Sequence, residues 1–214
     1  LRDYQEEAIQ FVIENNYNKT LLRLTTGSGK TLIAGHVIQR LNMNFVICVA
    51  PLLCSVEQLQ QRISPFIPEH KQLLIDSDGC TDVEFLQNTI SKNKTKWVIY
   101  TTFKSFVNVV QHLHNIDYDD TYLLIDEIHN AVHNEQMSEF ANEFSNSLYL
   151  SATVPEELGD LFDFEEVYSY NIRTAINDGH CVDYDLYFPY IANIDEDILS
   201  DDKDIPLELS SLEN

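Results

Sequence analysis

Leu21-Leu22-Arg23-Leu24-Thr25 runs into Thr26-Gly27-Ser28-Gly29-Lys30-Thr31, and then into Leu32-Ile33-Ala34-Gly35-His36-Val37-Ile38-Gln39-Arg40-Leu41. The first segment reads as a strand over Leu21–Thr25. In the last, apolar residues at Leu32, Ile33, Val37, Ile38 and Leu41 recur at helical spacing, which predicts a helix over Thr31–Leu41. Between them, two glycines free the backbone to curl so that its N–H groups converge on an anion. The helix N-terminus adds partial positive charge. Lys30 supplies a point charge for outer phosphates, and the Thr31 hydroxyl is a hard oxygen suited to magnesium. The stretch predicts a phosphate-binding loop at a strand-to-helix junction, with Leu24 where the strict pattern has glycine.

The alternation continues outward. Strands are predicted at Phe45–Ala50, Gln72–Ile75, Trp97–Thr102, Tyr122–Ile125 and Leu148–Leu150. Helices are predicted at Val56–Phe66, Val83–Ile90 and Phe103–Leu113. Continuous apolar strands separated by helices imply an α/β domain, a mostly parallel sheet with helices on both faces. Ligands of such sheets bind at the carboxyl ends of the strands. At such an end stands Asp126-Glu127-Ile128-His129, which follows one of those strands 96 residues after Lys30. An aspartate at that strand end can complete a magnesium shell, and the adjacent glutamate can polarise an attacking water.

The chain has 214 residues and a formal charge of −22. Residues 1–150 carry 11 Lys+Arg against 18 Asp+Glu, whereas residues 151–214 carry 2 against 17. The global field of such a chain does not draw nucleic acid, so any such contact depends on local geometry. Ile194 to Asp204 holds six acidic residues and reads as a solvated run. The longest near-apolar run, Phe45 to Cys54, is far short of a membrane span. Cys48, Cys54, Cys80 and Cys181 form no CxxC pair, which points to a reducing compartment. The pairs His112/His114 and His129/His133 have near-metal spacings but lack the glutamate that the zinc-protease pattern places after the first histidine. A start at Leu1 without Met reads as a piece of a longer protein.

Together these residues resemble the first motor domain of superfamily 2 helicases and translocases. Thr26 to Thr31 is similar to motif I, and Asp126-Glu127-Ile128-His129 to motif II of the DExH type. Ser151-Ala152-Thr153 after Leu148-Tyr149-Leu150 is similar to motif III, and Leu1-Arg2-Asp3-Tyr4-Gln5 to the Arg-x-Tyr-Gln entry. Pro51 to Gln58 and Thr101 to Phe106 resemble motifs Ia and Ib/Ic, with Leu52 where a threonine is common. Tyr170 to Tyr184 resembles the stretch closing this domain in type III restriction-like and viral helicases.

The resemblance implies a RecA-like P-loop domain over residues 1–190. Residues 191–214 would form an acidic linker or the start of a second motor domain. It implies ATP and Mg²⁺ as ligands, with Thr26, Gly27, Ser28, Gly29, Lys30 and Thr31 around the phosphates and Thr31 and Asp126 at the metal. Gln5 and Arg2 would lie at the adenine, and Glu127 would act as base with Lys30 and Asp126 beside it. His129, Ser151 and Thr153 would couple the ATP state to a second RecA-like domain. Gln58, Thr101, Thr102 and Ser105 would contact RNA or DNA. For Gln5 a helix-capping role stays open, as do helix-start roles for the Ser and Thr residues. The implied protein is an intracellular or viral ATP hydrolase with no membrane partner. Alternatives are a nucleotide-binding regulatory or interaction module without unwinding activity, and a DNA translocase of a restriction-type complex. A phosphate-loop kinase is opposed by the Ser-Ala-Thr and Arg-x-Tyr-Gln elements.

Overall fold

Seven strands of alternating-face residues build one sheet in the computed structural model, which describes residues 1–16, 18–75, 95–112 and 117–184. In chain order the elements are α1 (Asp3–Glu14), β1 (Thr20–Leu24), α2 (Lys30–Leu41), β2 (Phe45–Ala50) and α3 (Leu53–Ile63), followed by a 3₁₀ turn at Ser64–Phe66. Next come β3 (Lys71–Ile75), β4 (Trp97–Thr102), α4 (Phe103–His112) and β5 (Thr121–Ile125). After a 3₁₀ turn at Ile128–Ala131 follow α5 (Glu135–Asn142), β6 (Asn146–Ser151), α6 (Leu158–Leu161), β7 (Glu166–Tyr170) and α7 (Ile172–Asn177). The strand order is β3-β4-β2-β5-β6-β1-β7, and every pairing is parallel.

The two-residue period of the strands divides the core. Leu22, Leu24, Cys48, Ala50, Leu124 and Leu150 face α1, α2 and α3, where Ile9, Val12, Ile33, Val37, Val56 and Ile63 meet them. Leu21, Ile47, Val49, Leu123, Ile125 and Tyr149 face the other way, onto Phe106, Met137, Ala141 and Phe144. Each fully buried large side chain gains roughly 1.5–3 kcal/mol over exposure. Coverage on both sides explains why the central strands are continuously apolar, as the sequence predicts. Cys48 is fully buried and acts as a small hydrophobe; burial pushes its thiol pKa upward, so it stays protonated.

Register sets the site. Leu22 pairs with Leu150 and Arg23 with Ser151, while Val49 pairs with Ile125. The carboxyl ends of β1, β2, β5 and β6 therefore share one rim, with β6 lying between the strand of the phosphate loop and that of the acidic pair.

Most predicted elements form within a few residues of their expected bounds. α3 begins at Leu53, three residues early, and yields to the 3₁₀ turn where Pro65 removes a backbone donor. α1, α5, α6, α7 and β7 have no counterpart among the predicted elements. α1 hides an apolar stripe (Tyr4, Ala8, Ile9, Val12) among carboxylates. β7 is an edge strand whose polar alternation lowers its apolar signal. The predicted helix Val83–Ile90, Cys80, His114, the expected boundary near residue 190 and the acidic tail lie outside the described residues. Leu1–Cys181 form one compact unit; of the second, Val182–Asn214, only Val182–Tyr184 are described, without regular secondary structure.

Candidate active site

The glycine loop after β1 is fastened from α1. The Ser28 carbonyl accepts from the Tyr4 hydroxyl at 2.7 Å and from the Gln5 side-chain amide at 2.8 Å. Gln5 Oε1 accepts the Arg2 backbone N–H at 2.9 Å, closing the first turn of α1. Tyr4 is held in turn by its stack on Tyr170, with ring centroids 4.0 Å apart. Gly27 and Gly29 have φ of +77° and +85°, a region that side chains strain. At Gly29 a Cβ would also lie 2.7 Å from Gln5 Nε2, so a side chain there would push that amide off the Ser28 carbonyl.

Lys30 opens α2 and lines the cavity beside the loop. Its Nζ donates to the Leu24 carbonyl at 3.4 Å and stands 3.9 Å from Glu127 Oε1. Thr26, Gly27, Gly29, Lys30 and Thr31 line one cavity of about 250 Å³ with Asp126 and Glu127. The third wall is α3: Ser55, Gln58, Leu59 and Arg62 line the same space. Two strand ends and one helix thus converge on a space lined by a lysine, two carboxylates and a glycine loop.

Asp126 is the electrostatically costly member. Burial, and after it the neighbouring Glu127 carboxylate, raise its carboxyl to about 6, while Lys30, the Glu127 backbone N–H and Arg62 pull the other way. That N–H donates to Asp126 Oδ1 at 3.0 Å. Glu127 itself sits at φ +51°, in the left-handed region that costs an ordinary residue about 1–2 kcal/mol. This turn aims the glutamate at Lys30 and His129 at once, with Glu127 Oε2 3.3 Å from His129 Nδ1.

His129, Ser151 and Thr153 form one chain of contacts. The Ser151 hydroxyl donates to the Thr153 carbonyl, so it accepts from His129 Nδ1 at 2.8 Å. Nε2 then accepts from the Asn130 side-chain amide at 3.1 Å, whose other N–H goes to the Glu127 carbonyl. The pattern assigns the Nδ1–H tautomer. Thr153 takes part through its backbone, not its hydroxyl.

The remaining expected residues are distributed differently from one another. Gln58 lines the cavity of the phosphate loop. Thr101 is fully buried, with no partner for its hydroxyl among the described residues. Thr102 ends β4 just before α4, where its hydroxyl accepts the Ser105 backbone N–H at 3.3 Å and donates to Ser105 Oγ at 3.2 Å. That is the helix-start role the sequence leaves open for these hydroxyls. Tyr4 and Arg62 enter the site without having been expected there. Tyr4 lies next to Gln5, and Arg62 continues the Ser55/Gln58 spacing, so a helical reading of α3 against the phosphate loop would have found it.

The residues fit a magnesium–nucleotide ligand. Thr31 and Asp126 offer two hard oxygens on the cavity wall, in keeping with a cation that keeps several of its own waters. Ser28 Oγ is buried in the loop without a partner. No group of three or more His, Cys, Asp or Glu among the described residues could hold a metal by itself. No helix among them is long and apolar enough to cross a membrane.

A seven-stranded parallel sheet with a glycine loop after β1 and an acidic pair after β5 defines a RecA-like α/β domain. Comparison with protein families matches residues 1–156 to the family described as type III restriction enzyme, res subunit, and the chain belongs to that family, a helicase-like group of superfamily 2. No curated protein sequence matches it. Solved structures share the fold. A nuclease-deletion mutant of the Type ISP restriction-modification enzyme LlaGI, in complex with a DNA substrate mimic, superposes with a TM-score of 0.66 at 17% identity, over 84% of this chain and 20% of that one. The Hef helicase domain of Pyrococcus furiosus gives 0.63 at 22% identity, over 80% and 38%. The Sulfolobus solfataricus SWI2/SNF2 ATPase core in complex with dsDNA gives 0.57 at 16%, over 77% and 36%. This chain therefore spans about a fifth to two fifths of those solved chains.

Proposed function

We propose that the chain is the ATP-binding first motor domain of a DExH-type helicase or translocase, working with a second RecA-like domain in a longer protein. The observation that carries this reading is the convergence of Lys30, Thr31, Asp126 and Glu127 on one cavity beside the glycine loop. The backbone N–H groups of Thr26 to Thr31 and the Lys30 ammonium would cradle the phosphates. Thr31 and Asp126 would hold Mg²⁺, which supplies charge neutralisation at the transferring phosphate. Glu127, turned toward Lys30, would accept the proton of the attacking water. Gln5 keeps one N–H and one lone pair free after its bonds to Ser28 and Arg2, enough for an adenine edge. The His129–Ser151–Thr153 chain would carry the nucleotide state toward the partner domain.

A nucleic-acid strand would cross the carboxyl ends of β2 and β4. There Leu52, Leu53 and Lys104 are exposed and Thr102 is half-buried. The family match and the restriction-enzyme neighbour favour a second, narrower reading, a DNA translocase of a restriction-type complex.

Lys30→Ala tests the phosphate-loop assignment. The variant should fold and lose MgATP binding in equilibrium titration; unchanged affinity would remove the assignment. ATP turnover of the full protein with duplex DNA, single-stranded DNA and RNA then separates the readings. Stimulation by duplex DNA alone fits the translocase, and no stimulation by any of them fits a non-motor nucleotide module.

A further inference from the structure

Helix α3 presents one polar stripe to the nucleotide cavity. Ser55, Gln58 and Arg62 are spaced three and four residues apart, which aligns side chains on one side of a helix. All three line the cavity with Lys30, Asp126 and Glu127. The helix is fixed in that rotation by Val56, Leu59 and Ile63, all buried in the core.

Three other cations of this acidic chain are neutralised close at hand. Arg40 meets Glu6 at 2.9 Å, Lys19 meets Asp163 at 3.7 Å and Lys96 meets Glu69 at 3.7 Å. Arg62 is exposed and has no hydrogen bond or ion pair within 4 Å among the described residues. The charge it acts on is Asp126, at the acidic end of the cavity. A guanidinium is permanently charged, and its planar fork of N–H donors matches a phosphate's oxygens. Without ligand the cavity sets Lys30 and Arg62 against Asp126 and Glu127. A magnesium-bound triphosphate adds negative charge, so removing Arg62 would leave one cation against two carboxylates and the ligand.

Building on the nucleotide reading, we infer that Arg62 is a phosphate-positioning residue that holds the outermost phosphate of a bound nucleoside triphosphate from within this domain. Gln58, one turn earlier on the same stripe, then belongs to the nucleotide wall and not to a strand-binding face. The consequence is a site that distinguishes triphosphate from diphosphate before any second domain closes on it.

The test titrates the 214-residue chain with fluorescent nucleoside tri- and diphosphates in Mg²⁺ at low salt, for the unmodified chain, Arg62→Ala, Arg62→Gln and Lys30→Ala. Both Arg62 variants should bind triphosphate about ten-fold or more weaker, the worth of a lost charge-assisted hydrogen bond. Their diphosphate affinity should change less than about three-fold, and their thermal midpoints should match that of the unmodified chain. If the Arg62 variants keep full triphosphate affinity while Lys30→Ala loses it, the role of Arg62 is overturned and the nucleotide site stands. Equal losses for tri- and diphosphate overturn the assignment to the outermost phosphate. An unmodified chain that binds neither nucleotide overturns both readings together.

Discussion

The two halves of the site are built on opposite terms. The glycine loop is fastened in advance: Ser28 O has two donors, Gln5 bridges to Arg2, and the glycines occupy the positions that need positive φ. The acidic strand end carries its costs openly. Asp126 is a buried carboxyl raised to about 6, and Glu127 is held in a left-handed turn. A preformed cradle binds without reorganising, whereas the ionisation cost of a buried acidic pair is offset when cationic charge arrives. On the proposed reading, affinity would belong to the loop and reactivity to the acidic end, a division that the following variants put to the test.

The largest effect is expected at Glu127. Glu127→Gln keeps the side chain's length and its amide can still face His129, while removing the proton acceptor. In the full protein, ATP affinity should stay within a few-fold and turnover should fall about 10²–10⁴-fold, the usual worth of a general base. Single-turnover kinetics beside equilibrium titration checks this. Normal turnover would move the base elsewhere and leave the left-handed turn at Glu127 without a catalytic purpose.

Asp126→Asn comes next and acts in the opposite direction on stability. The folded carboxyl at about 6 lies above the ordinary aspartate value of about 3.9, so the folded state holds the proton more tightly than the unfolded chain. The penalty for ionising it is absent below about pH 4, builds between pH 4 and 6, and is complete above that. Asn keeps the acceptor for the Glu127 N–H and carries no charge. Asp126→Asn should therefore stabilise the ligand-free chain by on the order of 1–3 kcal/mol at pH 7–8, with the gain vanishing near pH 4. Urea midpoints at several pH values measure it. The same ionisation predicts that Mg²⁺-dependent nucleotide affinity of the unmodified chain weakens as pH falls through about 6.

The contrast between the halves also explains what could be seen in advance. The phosphate loop announces itself because its geometry needs particular residue types at fixed spacing, and the strands around it because burial on both faces leaves them uniformly apolar. Asp126 and Glu127 were legible as a pair at a strand end, yet their strain was not, since φ at Glu127 depends on how the Ile128–Ala131 turn packs. α1 was hidden by its carboxylates and β7 by its place at the sheet edge. Gln58 matched a motif of strand contact, but its surroundings come from the rotation of α3, which Val56 and Ile63 set through contacts distant in sequence. Tyr4 was visible only as a member of the entry motif; its bond to Ser28 spans 24 residues and requires the packing of α1 on the sheet.

Tyr4 supplies the smallest and most discriminating test. Tyr4→Phe removes one hydroxyl and retains the ring stacked on Tyr170. The Ser28 carbonyl keeps its bond from Gln5, so no buried acceptor is left empty. The stability cost should be the net worth of one hydrogen bond, about 0.5–1.5 kcal/mol by urea unfolding. A loop held by one donor instead of two samples more conformations, and nucleotide affinity should fall by less than about ten-fold. The chemical step is expected to be unaffected, because the hydroxyl touches the loop's outer carbonyl and not the acidic end. Saturating single-turnover rates for Tyr4→Phe should thus match those of the unmodified protein, in contrast to Glu127→Gln. A rate loss comparable to that of Glu127→Gln, with affinity preserved, would mean that the loop's fastening reaches into the chemistry, and the division between a binding half and a reacting half would fail.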